Sequence, residues 1–167
     1  MNQRRYGMAE AVGVANQAAT DIEAWLKANP ETVDVKNVEL DPAYQRIDVD
    51  LLWQTLDETY TIEIKGDRWD KSGNFFFETD SNAELGTPGC FLYTEAQYIF
   101  YYFVKTKVLY ILPMPETRDW FMPLLNTFRE RSTTTPTRGG SYYTTIGRLV
   151  PIREVLASVP NVETVSL

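Results

Sequence analysis

Histidine is absent from this 167-residue chain, and cysteine occurs once, at Cys90. The first absence removes imidazole as a general base, as the partner of a serine or cysteine nucleophile, and as a zinc ligand. The second excludes an intrachain disulfide and any cysteine-rich zinc cluster. Basic residues are also scarce: 16 Lys and Arg against 23 Asp and Glu leave a formal charge of -7. Broad capture of nucleic acid normally leaves a basic footprint, so a strong non-specific binder is disfavoured. The acidity weighs less against a metal enzyme, because a bound divalent cation cancels the charge of its carboxylate ligands. Long apolar runs are missing too. The most apolar stretch, Tyr98 to Met114, is interrupted by Lys105 and Lys107 and is too short to cross a bilayer. The opening Met1-Asn2-Gln3-Arg4-Arg5 leads into a mixed segment, so no signal peptide is expected. A cytoplasmic location without membrane association is the expectation.

What is present is an ordinary globular composition, 44% hydrophobic and 23% charged, with no internal repeat or low-complexity linker. Residues 1–167 are therefore read as one domain, long enough to bury a core without staples. The pattern predicts a helix over Met8 to Ala28, with Ile22, Trp25 and Leu26 on its apolar face, Thr20-Asp21 as a point where it could break, and Asn29-Pro30 as its end. A strand is predicted over Tyr44 to Trp53, a turn at Leu56 to Thr59, a second strand over Tyr60 to Lys65 and a third over Asn74 to Thr79. Thr94 and Gln97 fit a capping box that opens a helix into Tyr98-Phe103. Val108 to Leu112 reads as a buried strand, and Pro115 to Arg131 as an amphipathic helix. A polar loop (Ser132 to Ser141), a strand near Tyr142 to Val150 and a short helix opened by Pro151 complete the chain. The class expected is α/β, a central mixed sheet flanked by helices.

Chemistry concentrates on the predicted hairpin. Side chains alternate along a strand, so Glu63 and Lys65 share one face while Ile62 and Ile64 take the other, and Asp48 and Asp50 likewise share a face. A turn centred on Asp57-Glu58 would set Asp50 opposite Lys65 and Leu52 opposite Glu63, and a slip of one residue would separate Asp50 from Glu63. Two carboxylates about 5 Å apart repel by roughly 3 kcal/mol at an effective dielectric near 20. A divalent cation relieves this better than a lysine does, and oxygen ligands suit Mg²⁺ or Mn²⁺. Such an ion polarises a phosphoryl oxygen and acidifies water, while Lys65 orients that water or neutralises charge.

Asp50 followed on the neighbouring strand by Glu63-Ile64-Lys65 resembles the PD-(D/E)XK nuclease superfamily. The proline that gives the motif its name is replaced by Val49. The motif covers Asp50 to Lys65, and the order of flanking elements extends the resemblance to roughly residues 8–112. The segment Gly66 to Gly89, with three consecutive Phe, is similar to small phage and bacterial members. The resemblance implies a restriction-endonuclease-like fold, Asp50 and Glu63 as Mg²⁺ (or Mn²⁺) ligands helped by the backbone carbonyl of Ile64, and Lys65 as the catalytic lysine. It implies hydrolysis of phosphodiester bonds in DNA, with DNA as partner and a homodimer allowed. Glu23 or Glu10 would supply a further helix carboxylate, and Gln97 with Tyr101 matches the Gln-x-x-x-Tyr spacing of exonuclease branches.

Each of these residues also has a plainer reading. Asp48 is an accessory carboxylate or a solvated strand residue; Gln97 is explained by capping, and Tyr101 by core packing. Cys90 reads as an inert, partly buried thiol. Arg68, Trp69 and Lys71 form a basic-aromatic group suited to nucleic acid, as does Arg138 in a Ser/Thr-rich loop. Charged residues after a strand and mobile polar loops are common as well. Two other functions fit the same residues: an inactive nuclease-like fold that binds nucleic acid or protein, and an acidic DNA mimic or inhibitor.

Overall fold

A computed structural model describes residues 8–137 and 140–167. The elements in chain order are α1 (Met8–Ala28), β1 (Thr32–Asn37), α2 (Pro42–Gln45), β2 (Leu51–Thr55), β3 (Thr59–Asp67), β4 (Asn74–Asn82), β5 (Thr87–Pro88), α3 (Cys90–Tyr93), β6 (Tyr98–Phe103), β7 (Val108–Pro113), α4 (Glu116–Phe121), β8 (Arg129–Pro136), β9 (Tyr142–Pro151), α5 (Ile152–Ser158) and β10 (Glu163–Ser166). They build two open sheets, one ordered β1-β2-β3-β6-β7-β10 and the other β5-β4-β9-β8. The first is mixed, because β3 and β6 run parallel while its other neighbours are antiparallel. The α/β class with a mixed sheet is therefore present.

Helix α1 runs unbroken through Thr20-Asp21. Ala18, Ile22 and Leu26 recur every four residues, and all three are fully buried. They pack on Leu51, Ile62, Phe100 and Tyr102 from one face of the mixed sheet. Gly66 permits the approach: a Cβ there would lie 3.0 Å from the Ala18 Cβ and 3.1 Å from the Val14 carbonyl oxygen. The opposite face offers Ile99, Tyr101, Phe103 and Leu112, covered by Phe75 and Phe77 of β4, Phe91 of α3, Phe121 of α4 and Val155 of α5. Thus the second face is covered largely by another sheet and by short helical turns, where sequence alone predicts flanking helices.

Several expected elements are corrected. Tyr44 does not begin a strand, because Asp41 caps α2 through a 2.9 Å bond from the Ala43 N–H and Pro42 opens that helix. The strand starts only at Leu51, after Asp48 has turned the chain with a φ of 56°. Tyr98-Phe103 is a strand, not a helix: the Thr94 hydroxyl accepts the Ala96 N–H at 3.1 Å, but the Gln97 side-chain Oε1 accepts the Thr61 N–H at 3.0 Å, so no capping box closes. The helix after Pro115 ends at Phe121 and passes into a 3-10 turn over Met122–Thr127. The predicted polar loop is largely β8, whose Thr133, Thr134 and Thr135 pair with Thr145, Thr144 and Tyr143 of β9; β-branched residues favour that pleated setting. The strand at β7, the strand at β9 and the helix opened by Pro151 stand as expected.

Candidate functional site

The hairpin β2–β3 closes at Leu56-Asp57, one residue earlier than a turn centred on Asp57-Glu58. The Thr55 N–H donates to the Glu58 carbonyl at 2.8 Å, and the Thr55 hydroxyl accepts the Glu58 N–H at 3.2 Å. Leu52 consequently faces Thr61 rather than Glu63, and Leu51 faces Ile62. A displacement of two residues leaves every side chain on its expected face. Glu63 and Lys65 share one, and Asp50 reaches them from the residue just before β2.

Asp50 is held at both backbone groups, its N–H donating to the Ile62 carbonyl at 2.9 Å and its carbonyl accepting from the Val38 N–H at 2.8 Å. Its Oδ2 accepts the Ile64 N–H at 2.9 Å, so Ile64 contributes its amide to the site. The Asp50 carboxyl stands close enough to Glu63 for its charge to disfavour the Glu63 carboxylate. Glu63 is only 7% exposed. Burial, then the charges of Asp50 and Asp48, hold its carboxyl well above the usual carboxylate range. Burial also raises Asp50, against the Ile64 hydrogen bond that favours its charged form. Both carboxyls are thus displaced toward their protonated forms, Glu63 the further.

Lys65 places its Nζ 3.0 Å from Glu78 Oε2 and 3.8 Å from Cys90 Sγ. Burial disfavours its ammonium, but the acidic groups around it, with the Glu78 carboxylate in direct contact, outweigh that and raise it well above the usual lysine range. Glu78 lies on β4 where the ladder to β9 slips between Glu78 and Asp80, and a bulge of this kind re-aims a side chain. Cys90 opens α3 behind Gly89 and is buried. Burial pushes its thiol far up.

Asp48 is not a solvated strand position: it lies part-buried in a turn beside these residues. It is tied to the end of α3, with its Oδ1 accepting the Tyr93 hydroxyl at 3.1 Å and its carbonyl accepting the Thr94 hydroxyl at 2.7 Å. Burial lifts its carboxyl to about 6, partly offset by Tyr93. One ligand atom each from Asp48, Glu63 and Cys90 lies within 4.8 Å of the others. Asp48 Oδ2 is shielded from solvent and has no hydrogen-bond partner among the described residues.

The other predicted residues stand elsewhere. Glu23 binds Lys27 and the Asn37 amide, and Glu10 pairs with Arg68, both from α1 on the far face of the sheet. Arg68 also stacks over Trp69, 5.1 Å from the ring centroid. That pairing draws Arg68 toward the helix side and away from Glu63. Lys71 sits exposed in a 3-10 turn over Asp70–Ser72, and Arg138 lies outside the described residues. Gln97 and Tyr101 do not converge, because four residues of strand span about 13 Å. Tyr101 is a core residue whose hydroxyl donates to Asp67 Oδ2 at 2.5 Å and accepts the Phe76 N–H at 2.9 Å.

Glu78, Cys90 and Tyr93 escaped the sequence reading as site residues. Only a contact between β4 or α3 and the hairpin reveals them, and no local spacing encodes it. The chain matches no family model, and neither the curated proteins nor the solved structures give a match.

Proposed function

We propose that the chain is a divalent-metal-dependent nuclease of the PD-(D/E)XK kind that hydrolyses phosphodiester bonds in DNA, on a restriction-endonuclease-like core. The supporting observation is geometric: Asp50, just before β2, meets Glu63 of β3, with Lys65 two residues on and on the same face. The donor set fits a cation: one would relieve neighbouring carboxyls whose charges disfavour each other, and Asp48 brings a further oxygen that has no hydrogen-bond partner among the described residues. Asp50 and Glu63 are the residues that would hold Mg²⁺ or Mn²⁺. A bound divalent ion would supply Lewis-acid polarisation of the phosphoryl oxygen and a more acidic water.

The protein's own part is orientation and charge. The Ile64 N–H fixes the Asp50 carboxylate, and the β3 backbone fixes Glu63 relative to it. Lys65 stays protonated, so it acts as a hydrogen-bond donor and cation toward water or a phosphate oxygen, not as the base. To do so it must exchange its contact with Glu78, and its side chain is 29% exposed on the route to solvent.

Incubation with labelled single- and double-stranded DNA plus Mg²⁺ or Mn²⁺ tests the proposal. The parent should cleave, and Glu63→Ala and Lys65→Ala should each lose on the order of 100-fold or more. Cleavage that survives both substitutions, or a parent inert under every condition, overturns it. The Lys65–Glu78 ion pair and the burial of Glu63 favour a second reading, a nuclease-like fold that binds without cutting. Under that reading DNA binds the parent, yet neither the parent nor Glu78→Gln cleaves.

A further inference from the structure

We propose that the outward face of the second sheet, through Arg129 and Arg131 of β8, holds the phosphodiester backbone of DNA and leads it to the carboxylate site. The choice of DNA rests on the nuclease reading; the surface itself does not. In the run Arg129-Glu130-Arg131, strand alternation sorts the charges by sign. Directly paired residues share a face. Arg129 lies opposite Leu149, which lies opposite Phe76; Arg131 lies opposite Gly147, which lies opposite Glu78. Both arginines therefore stand on the face of Phe76 and Glu78, away from Phe75 and Phe77 in the core. Glu130 takes the other face, where Arg148 Nη2 holds its Oε2 at 2.9 Å. Both arginines are exposed, and neither makes an ion pair among the described residues.

Continuity with the site comes from Glu78. It begins the row Glu78–Gly147–Arg131, and its Oε2 lies 3.0 Å from Lys65 Nζ. Two strand spacings carry that row about 10 Å from Glu78 to Arg131, the rise of roughly three nucleotides along one strand of a duplex. No side chain grows from the middle of the row, where a Cβ on Gly147 would fall 2.6 Å from the Phe76 ring. The neighbouring row, Phe76–Leu149–Arg129, leads into an open pocket of about 520 Å³ whose lining includes Asn74, Leu149, Arg129 and one acid, Glu154. A chain with a formal charge of -7 repels phosphate over much of its surface. Two unpaired guanidiniums on a face that reaches the carboxylates give a DNA strand a favoured approach. Charges on an edge strand also deter pairing with other chains, a role that by itself leaves DNA affinity untouched when they are removed.

The test is a binding measurement. Full-length protein is titrated into short labelled DNA, single- and double-stranded, and into RNA of the same sequence, with Ca²⁺ in place of Mg²⁺. Anisotropy is recorded over a series of salt concentrations. Arg129→Gln and Arg131→Gln should each weaken DNA binding by about 3- to 10-fold and reduce the salt slope by about 1. Both positions are exposed, so the variants should keep the parental Tm. Lys27→Gln removes the same charge from α1, on the other side of the mixed sheet, and should change affinity less than about twofold. Parental affinity in both arginine variants, an equal loss in Lys27→Gln, no DNA binding by the parent, or tighter binding of RNA overturns the proposal. DNA held through the arginines but left uncut in Mg²⁺ sinks only the nuclease reading. Cleavage by a protein whose affinity is indifferent to both arginines sinks only this one.

Discussion

At the scale of single residues, the site is defined by acids that carry protons where solvent would strip them. Asp48 is raised to about 6 by burial; Tyr93 and Lys65 lower it, and Asp50 and Glu78 raise it. Glu63 and Cys90 also face this carboxyl. A raised folded-state value means that the stabilising contribution is complete below the ordinary carboxylate value and is lost as pH rises through about 6. Glu63 acts in the same direction. The metal-free protein should therefore lose on the order of 5 °C in Tm between about pH 5 and pH 8, and saturating divalent ion should flatten that slope. A pH series of thermal melts with and without the ion decides it, and a metal-free Tm that rises across the window contradicts the assignment. Asp50, Glu63 and Lys65 were legible beforehand because alternation along one hairpin is a local property. Asp48 was half-legible: its position in the sequence pointed to the site, but its φ of 56° did not show in the residue pattern.

Elements were read well where periodicity was long and poorly where short segments had two solutions. The 21 residues of α1 carry several turns of an apolar stripe, and no strand competes for it. Tyr98-Phe103 had a credible helical start, yet its aromatic run pairs with Ile62 to Asp67 on one side and Val108 to Pro113 on the other. Tertiary pairing overrode a local cap. β1, β5 and β10 carried too little pattern to be seen, since six, two and four residues that lie at or near sheet edges alternate weakly. The β6–β7 connection contains Lys107, exposed and at a φ of 56°. A side chain costs roughly 1 kcal/mol in that left-handed region, and glycine does not. Lys107→Gly should accordingly stabilise the protein by about 0.5–1 kcal/mol in urea titration, and a loss of stability would show that the lysine contributes a contact worth more than its strain.

Across the whole molecule, the mixed sheet separates two cores, and the site lies where the second sheet meets it. On the α1 side the sheet presents Ile62 and Ile64; on the other it presents Glu63 and Lys65, bordered by Glu78 of β4 and Cys90 of α3. The join between those last two depends on Gly89. Its N–H donates to the Thr79 carbonyl at 2.8 Å, and a Cβ on it would fall 2.3 Å from the Glu78 carbonyl oxygen. Backbone, not a yielding side chain, stands in the way. Gly89→Ala should cost about 1–3 kcal/mol; a variant with parental Tm would refute this role. The same contact has a consequence for adaptation. Because main chain touching main chain sets the gap between the acid of one sheet and the thiol beside it, the gap cannot be widened by exchanging side chains. Sequences that drift from this one can therefore exchange the acid or the thiol, while the frame that spaces them is inherited intact.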